Sequence, residues 1–294
     1  MVAGLETTTD ESAGGPMKNI AIVGCGYVGS AFARAAAAVG HDVAGTTTTP
    51  ERRPELEGYG MAPVVLQVSD RDALRAFLQG RDIVYLCVAA GRNRGDYRSV
   101  YVDGAANVLE AASAAGVSRI VYTSSTSVYG KTDGSLVTEE SPIAPARENA
   151  RLLVEAERIL LDGGQRNGMA VTILRLAAIY GPGRDPTNWM RRSAGTQRHD
   201  GDALLNFVHV DDIATAMMRV LETGCRGVFN VCEDRPIRRR TLYDRLAQTT
   251  GCTPVTWVRG DDRQAGSPAV NLGKHVSNER IKRRLGMRFR QLEY

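Results

Sequence analysis

Three glycines, Gly24, Gly26 and Gly29, stand directly after an apolar run at residues 19–23 and directly before an alanine-rich segment. In a strand-to-helix setting the first glycine permits a tight turn. The second lets backbone approach a pyrophosphate, and the third lets the helix pack closely on its strand. The first turn of such a helix presents unpaired N–H groups and the positive end of its dipole to the phosphates. The chemistry predicted here is capture of a dinucleotide by Gly24, Gly26, Tyr27, Val28 and Gly29. About twenty residues further on, an NAD-preferring site would carry an acid for the ribose 2′-hydroxyl. This chain instead reads Gly45-Thr46-Thr47-Thr48-Thr49-Pro50, with Arg52 and Arg53 close behind. Hydroxyls and guanidinium suit a 2′-phosphate. NADP(H) is therefore the expected cofactor, with NAD(H) as the alternative and Thr46, Thr47 and Arg52 as its ribose-side contacts.

These residues need a scaffold, and the chain is long enough to supply one. Its 294 residues, 43% of them hydrophobic, suit a large α/β domain with a small appended lobe. The net charge of +4 arises from 37 basic and 33 acidic residues spread along the sequence, so no nucleic acid is expected as partner. Apolar stretches break well before the roughly 18 residues that span a bilayer, and the N-terminus is acidic; a cytoplasmic protein without membrane attachment is expected. Five cysteines with no CxxC spacing argue against a disulfide framework and against a metal site.

Short buried-type runs predict strands over residues 19–23, 42–46, 63–68, 83–88, 119–123, 171–176 and 228–231. Helical periodicity predicts helices over 30–39, 70–78 (capped by Ser69 or Asp70), 101–115 (ending at Gly116), 151–161 and 211–221. In the 151–161 helix the apolar face holds Leu152, Leu153, Ala156, Ile159 and Leu160, opposite Glu155, Glu157 and Arg158. Strands alternating with helices imply a doubly wound, mostly parallel Rossmann sheet. Residues 1–16 read as a disordered tail and 17–176 as the nucleotide-binding domain, completed by 205–231. Residues 177–204 and 232–294 read as a small substrate-side lobe.

From Lys18 onward a series of ordered blocks carries a family resemblance: residues 82–90, 105–112 with Gly116-Val117-Ser118-Arg119, Tyr122-Thr123-Ser124-Ser125-Thr126-Ser127-Val128-Tyr129-Gly130, Leu174-Arg175 with Ile179-Tyr180-Gly181-Pro182-Gly183, and Phe207-Val208-His209-Val210-Asp211-Asp212-Ile213-Ala214. Together they resemble the extended short-chain dehydrogenases, the NAD-dependent epimerase/dehydratase superfamily. The resemblance implies a cofactor wall that includes Val68, Ala89, Ala90, Thr123, Ser124, Leu176 and Ala177. It also implies a small-molecule substrate and a homodimer formed through two helices.

The chemistry of that family uses a tyrosine, a lysine four residues later on the same helix face, and a hydroxyl that orients the substrate oxygen. Ser125 falls on the hydroxyl position. Asn149 and Leu153 fall on the tyrosine and lysine positions, so the YxxxK motif is absent, and a shifted register offers only Arg147 and Arg151. Tyr101 falls on the family's active-site asparagine. Ala178 and Leu205 replace the Asn and Arg that serve a nucleotide-sugar diphosphate, which makes a standard nucleotide sugar less expected. This combination resembles the atypical subgroup, in which a proton carrier must come from elsewhere. Tyr101, Tyr129, Arg147 and Glu148 are the available groups, with Ser125, Tyr101 and Tyr129 the expected catalytic set. His209 reads as structural, beside Asp212 as the expected cap of the next helix, and the arginine-rich stretches near 238 and 284 read as a solvated or phosphate-facing rim.

Two functions follow. One is an NADP(H)-dependent reductase, epimerase or dehydratase acting on a hydroxyl or carbonyl of a small polar, sugar-like substrate. The other is a nucleotide-binding redox sensor or partner-binding protein without turnover.

Overall fold

The computed structural model describes residues 16–90, 97–258 and 271–293. The first part of the chain alternates strand and helix: β1 (Asn19–Val23), α1 (Tyr27–Ala38), β2 (Asp42–Thr47), α2 (Arg53–Glu57), β3 (Ala62–Val65), α3 (Arg71–Leu78), β4 (Ile83–Leu86), α4 (Gly104–Ala114), β5 (Arg119–Ser125), β6 (Asp133–Val137), α5 (Glu148–Arg166) and β7 (Ala170–Leu176). The remainder comprises β8 (Ala178–Tyr180), α6 (Thr187–Ser193), β9 (Gln197–Arg198), β10 (Leu204–Leu205), β11 (Phe207–His209), α7 (Val210–Thr223), β12 (Gly227–Val231), β13 (Ile237–Arg238), α8 (Arg239–Thr250), β14 (Thr256–Trp257), β15 (Gly273–Val276) and α9 (Glu279–Leu285).

Seven strands form one sheet in the order β12-β7-β5-β4-β1-β2-β3, and every neighbouring pair is parallel. Successive strands step outward from β1 in one direction as far as β3 and in the other from β4 onward. The reversal leaves a crevice at the carboxyl ends of β1 and β4, where ligands of doubly wound folds bind. The inner strands fall where buried β-branched and aliphatic runs require them, and all four residues of β4 are buried; the edge strand β3 is largely exposed and stops at Val65. Helices cover both faces, and the Tyr85 hydroxyl donates to the Met217 carbonyl at 3.0 Å, tying β4 to α7.

Asp70, rather than Ser69, caps α3, its carboxylate accepting the Ala73 N–H at 3.0 Å. The predicted 101–115 helix enters through a wider turn over Ser99–Asp103 before becoming regular as α4. Such widened turns recur at functional sites because they re-aim a side chain. The α5 helix outruns its predicted 151–161 core at both ends. Glu157, expected on the solvated face, is buried and pairs with Arg175 at 2.7 Å. The Ser124 hydroxyl donates to the same carboxylate. Asp212 does not cap α7: His209 does, its Nδ1 accepting the Asp211 N–H at 3.2 Å, while Asp212 accepts the Arg290 N–H at 2.8 Å and its guanidinium. Leu292 N–H likewise donates to Glu233 at 3.0 Å, so the last described residues form a strap.

A second sheet runs β13-β10-β15-β6. β6 lies inside the segment expected to belong to the nucleotide-binding domain, yet it pairs with β15. Around this sheet Tyr180, Met190, Phe207, Leu242 and Leu246 build a separate apolar cluster. Trp189 stacks on Phe207 with ring centres 5.6 Å apart, and the Trp257 indole donates to Asp244 at 2.8 Å. No helix among the described residues is long and apolar enough to cross a membrane, and among those residues no cluster of His, Cys, Asp and Glu could hold a metal ion.

Candidate nucleotide-binding active site

The crevice opens into a cavity of about 760 Å³, within the range of small-molecule sites. Its floor is the glycine turn. Gly24 adopts φ +99°, and a Cβ there would lie 2.9 Å from the Val88 nitrogen, so only glycine lets β1 turn this close to β4. The end of β2 fixes the turn from the other side: the Thr46 hydroxyl accepts the Gly24 N–H at 2.9 Å and the Thr46 carbonyl accepts the Cys25 N–H at 2.7 Å. Gly26 precedes α1 with no side-chain cap, and a Cβ placed on it would meet nothing within 4 Å. The first-turn N–H groups therefore face open cavity, which is the cradle a diphosphate would fill.

Gly24, Gly26, Tyr27, Val28, Thr46, Thr47 and Arg52 all line this cavity. Gly29 does not; its bare Cα faces the Gly24 carbonyl and Ile22, so it serves helix-strand contact. Thr46 spends its hydroxyl on the turn, and Thr47 accepts the Thr49 N–H at 3.1 Å. The Arg52 guanidinium reaches back under the turn, donating to the Cys25 carbonyl and, at 3.3 Å, to the Ser30 hydroxyl, with Glu55 at 3.0 Å. Arg53 pairs with Glu57 at 3.8 Å and is not on the wall. Burial pushes the Cys25 thiol up to about 12, so it is a neutral wall group.

The far wall gathers Val68, Ala89, Ala90, Thr123, Ser124, Leu176 and Ala177 with Ser125 and Tyr101. The Ser125 hydroxyl accepts the Ser127 N–H at 3.1 Å. The Tyr101 hydroxyl accepts the Ala90 N–H at 3.2 Å, which leaves its own proton to donate. Burial raises the Tyr101 pKa, and the Ala90 N–H opposes this in part. Leu153, in the helix position where a lysine was sought, also lines the wall.

Tyr129 stands apart from the other two catalytic expectations. It is fully buried, its hydroxyl donating to Asn230 at 2.6 Å and accepting from Arg175 at 3.0 Å, and it does not line the cavity. Its conspicuous motif position reflects a structural network that joins β5, β7 and β12. Arg147 and Glu148 begin α5, with Glu148 held 3.7 Å from Arg151, and neither reaches the wall. His199 is exposed away from it.

Arg184 is a wall residue that the sequence reading missed. Its signal was only its place directly after Gly181-Pro182-Gly183, a block read for its family pattern rather than its charge.

Comparison with known proteins agrees with this architecture. The NAD-dependent epimerase/dehydratase family profile matches residues 20–232. Protein YeeZ of Escherichia coli K12 is 31% identical over 269 residues, covering 90% of this chain and 94% of that protein. The 2-alkyl-3-oxoalkanoate reductase of Shewanella oneidensis is 28% identical over 79% of this chain and 65% of its own length. Among solved structures, DesIV, a dTDP-glucose 4,6-dehydratase from Streptomyces venezuelae with NAD and TYD bound, superposes with a TM-score of 0.78 at 23% identity, covering 93% of this chain and 92% of that one. MoeE5 in complex with UDP-glucuronic acid and NAD superposes at 0.77 and 24% identity, covering 93% and 94%. The sheet, the glycine turn at its centre and these matches establish that the chain belongs to the NAD-dependent epimerase/dehydratase family.

Proposed function

We propose that this protein is an NADP(H)-dependent reductase acting on the carbonyl of a small polar substrate, with Tyr101 as proton donor and Ser125 as the group that orients the substrate oxygen. The observation that carries the reading is the placing of Tyr101, Ser125 and the glycine turn on one cavity. The turn and Arg52 would hold the nucleotide, and its reduced nicotinamide would supply a hydride to the carbonyl carbon. The proton for the carbonyl oxygen then comes from the Tyr101 hydroxyl, whose lone pair is engaged by Ala90 N–H. That N–H also steadies the phenolate left behind until water reprotonates it.

Burial that raises the Tyr101 pKa keeps the phenol protonated through neutral pH, which is the form reduction uses. Oxidation would need the phenolate as base, and the lysine that lowers a tyrosine pKa is replaced on the wall by Leu153. The name of the Shewanella reductase supports the same direction. The lack of an acid at the end of β2, with Arg52 on the wall, supports NADP(H).

The test is consumption of NADPH against a carbonyl panel with Tyr101→Phe and Ser125→Ala. Tyr101→Phe should lower kcat by about 100-fold or more while leaving NADPH affinity within twofold. The active species is the protonated phenol, and burial raises its pKa, so the reduction rate should be flat through neutral pH and fall only beyond the ordinary tyrosine value of about 10. A rate that rises with pH, or full activity in Tyr101→Phe, refutes the assignment. A second reading, nucleotide binding without turnover, is favoured by Leu153 on the wall; tight NADPH binding with no product from any carbonyl would select it.

A further inference from the structure

We propose that Arg184 is the second jaw of the diphosphate site, closing from the segment after β8 on the anion held by the first turn of α1. The inference deepens the nucleotide-binding reading and rests on it.

The turn at residues 181–184 is fixed against α1. The Tyr27 hydroxyl donates to the Pro182 carbonyl at 3.0 Å, and the Arg184 N–H donates to the Gly181 carbonyl at 2.9 Å. At Gly181, with φ +138°, a Cβ would lie 2.9 Å from the Tyr27 hydroxyl oxygen and 3.1 Å from His209 Nε2. The turn is thus wedged between the first residue of α1 and the cap of α7. That wedge sets the Arg184 guanidinium 4.3 Å from the centre of the Tyr27 ring, a cation–π seat. From there Arg184 lines the same cavity as Gly24, Gly26 and Val28.

Charge accounting points to a ligand. The α1 helix starts with no side-chain cap and no acidic residue in its first turn, so its positive end stays unneutralised. Arg52 adds a cation, which Glu55 offsets at 3.0 Å. Arg184 adds another, and among the described residues no carboxylate lies within ion-pair distance of it. Asp211, whose charge bears on Tyr27, instead faces His209 at 3.5 Å and Arg290 at 3.7 Å. The positive end of α1 and the exposed, hydrated Arg184 cation both favour an anion between them. A diphosphate meets both demands: backbone N–H groups take oxygens on one side and a guanidinium takes them on the other.

The test is calorimetric titration of the whole protein with NADPH and with NADH. Arg184→Ala, at an exposed position, should weaken both nucleotides by the same factor, about tenfold or more, because both carry the diphosphate. The NADH-to-NADPH affinity ratio should not move, and Arg184→Lys should recover part of the loss. Arg52→Ala should change that ratio instead. The proposal is overturned if Arg184→Ala binds both nucleotides like wild type, or if it alters only their ratio, or only the KM for a carbonyl substrate. Wild-type protein that binds neither nucleotide overturns the parent reading and this one together, whereas wild-type binding with an indifferent Arg184→Ala overturns this one alone.

Discussion

The proposed preference for NADP(H) rests on one side chain, Arg52, on the cavity wall. Its guanidinium is held by the Cys25 carbonyl, Ser30 and Glu55, so it is preorganised at the end of β2 rather than free to swing. Arg52→Ala should therefore weaken NADPH by about tenfold, the scale of one charge-assisted contact to phosphate, and leave NADH nearly unchanged. Calorimetry on both cofactors checks this, and equal losses for both would contradict it. The glycines around Arg52 were legible from the residues alone, because a turn, a close approach and a helix start are local demands. Thr46 and Tyr129 were not, since their partners lie far along the chain. The Thr46 hydroxyl serves Gly24, and that of Tyr129 serves Asn230, 101 residues away. A tyrosine in a family motif looks the same on paper whether it faces a substrate or a buried amide.

Among elements, α5 departs most from its reading. Glu157 and Arg175 are each 3% exposed at the side chain, and Ser124 and Tyr129 complete the network that joins α5 to β5 and β7. Removing one partner leaves the other charge buried and uncompensated, so Glu157→Ala should destabilise the protein by about 3–5 kcal/mol in urea unfolding. The double replacement Glu157→Leu with Arg175→Met should recover much of that loss, because the desolvation penalty disappears with the pair. A single mutant as stable as wild type would show that the pair carries no such weight. Helical periodicity found α5 itself, yet a glutamate reads as a solvated residue until its arginine is known. The inner strands of the main sheet were legible because buried runs of β-branched and aliphatic residues leave little alternative, whereas the edge strand β3 is largely exposed. The two-residue strands β9, β10, β13 and β14 were not, since their pairing is decided by partners brought together only in the folded chain.

At the scale of the whole molecule, the carboxyl-terminal strap touches both the main apolar cluster, through Met287 and Phe289, and the smaller one around β11 and α8, through Leu292. Its hydrogen bonds anchor it to the main cluster, Arg290 to Asp212 at the start of α7 and Leu292 to Glu233 after β12. Asp212 is 4% exposed, and Asp212→Ala should cost about 1.5–3 kcal/mol and lower Tm by several degrees, because the Arg290 donors lose a charged acceptor. An unchanged melting curve would mean that the strap is held by its apolar contacts alone. Both tryptophans of the chain, Trp189 and Trp257, belong to the smaller cluster around β11 and α8, and the seven-stranded sheet has none. Ultraviolet emission excited at the indole band is thus a resident optical gauge of that lobe alone. Paired with the glow of reduced nicotinamide, it would let loosening of the lobe and release of the nucleotide be timed separately in one cuvette, without any attached dye.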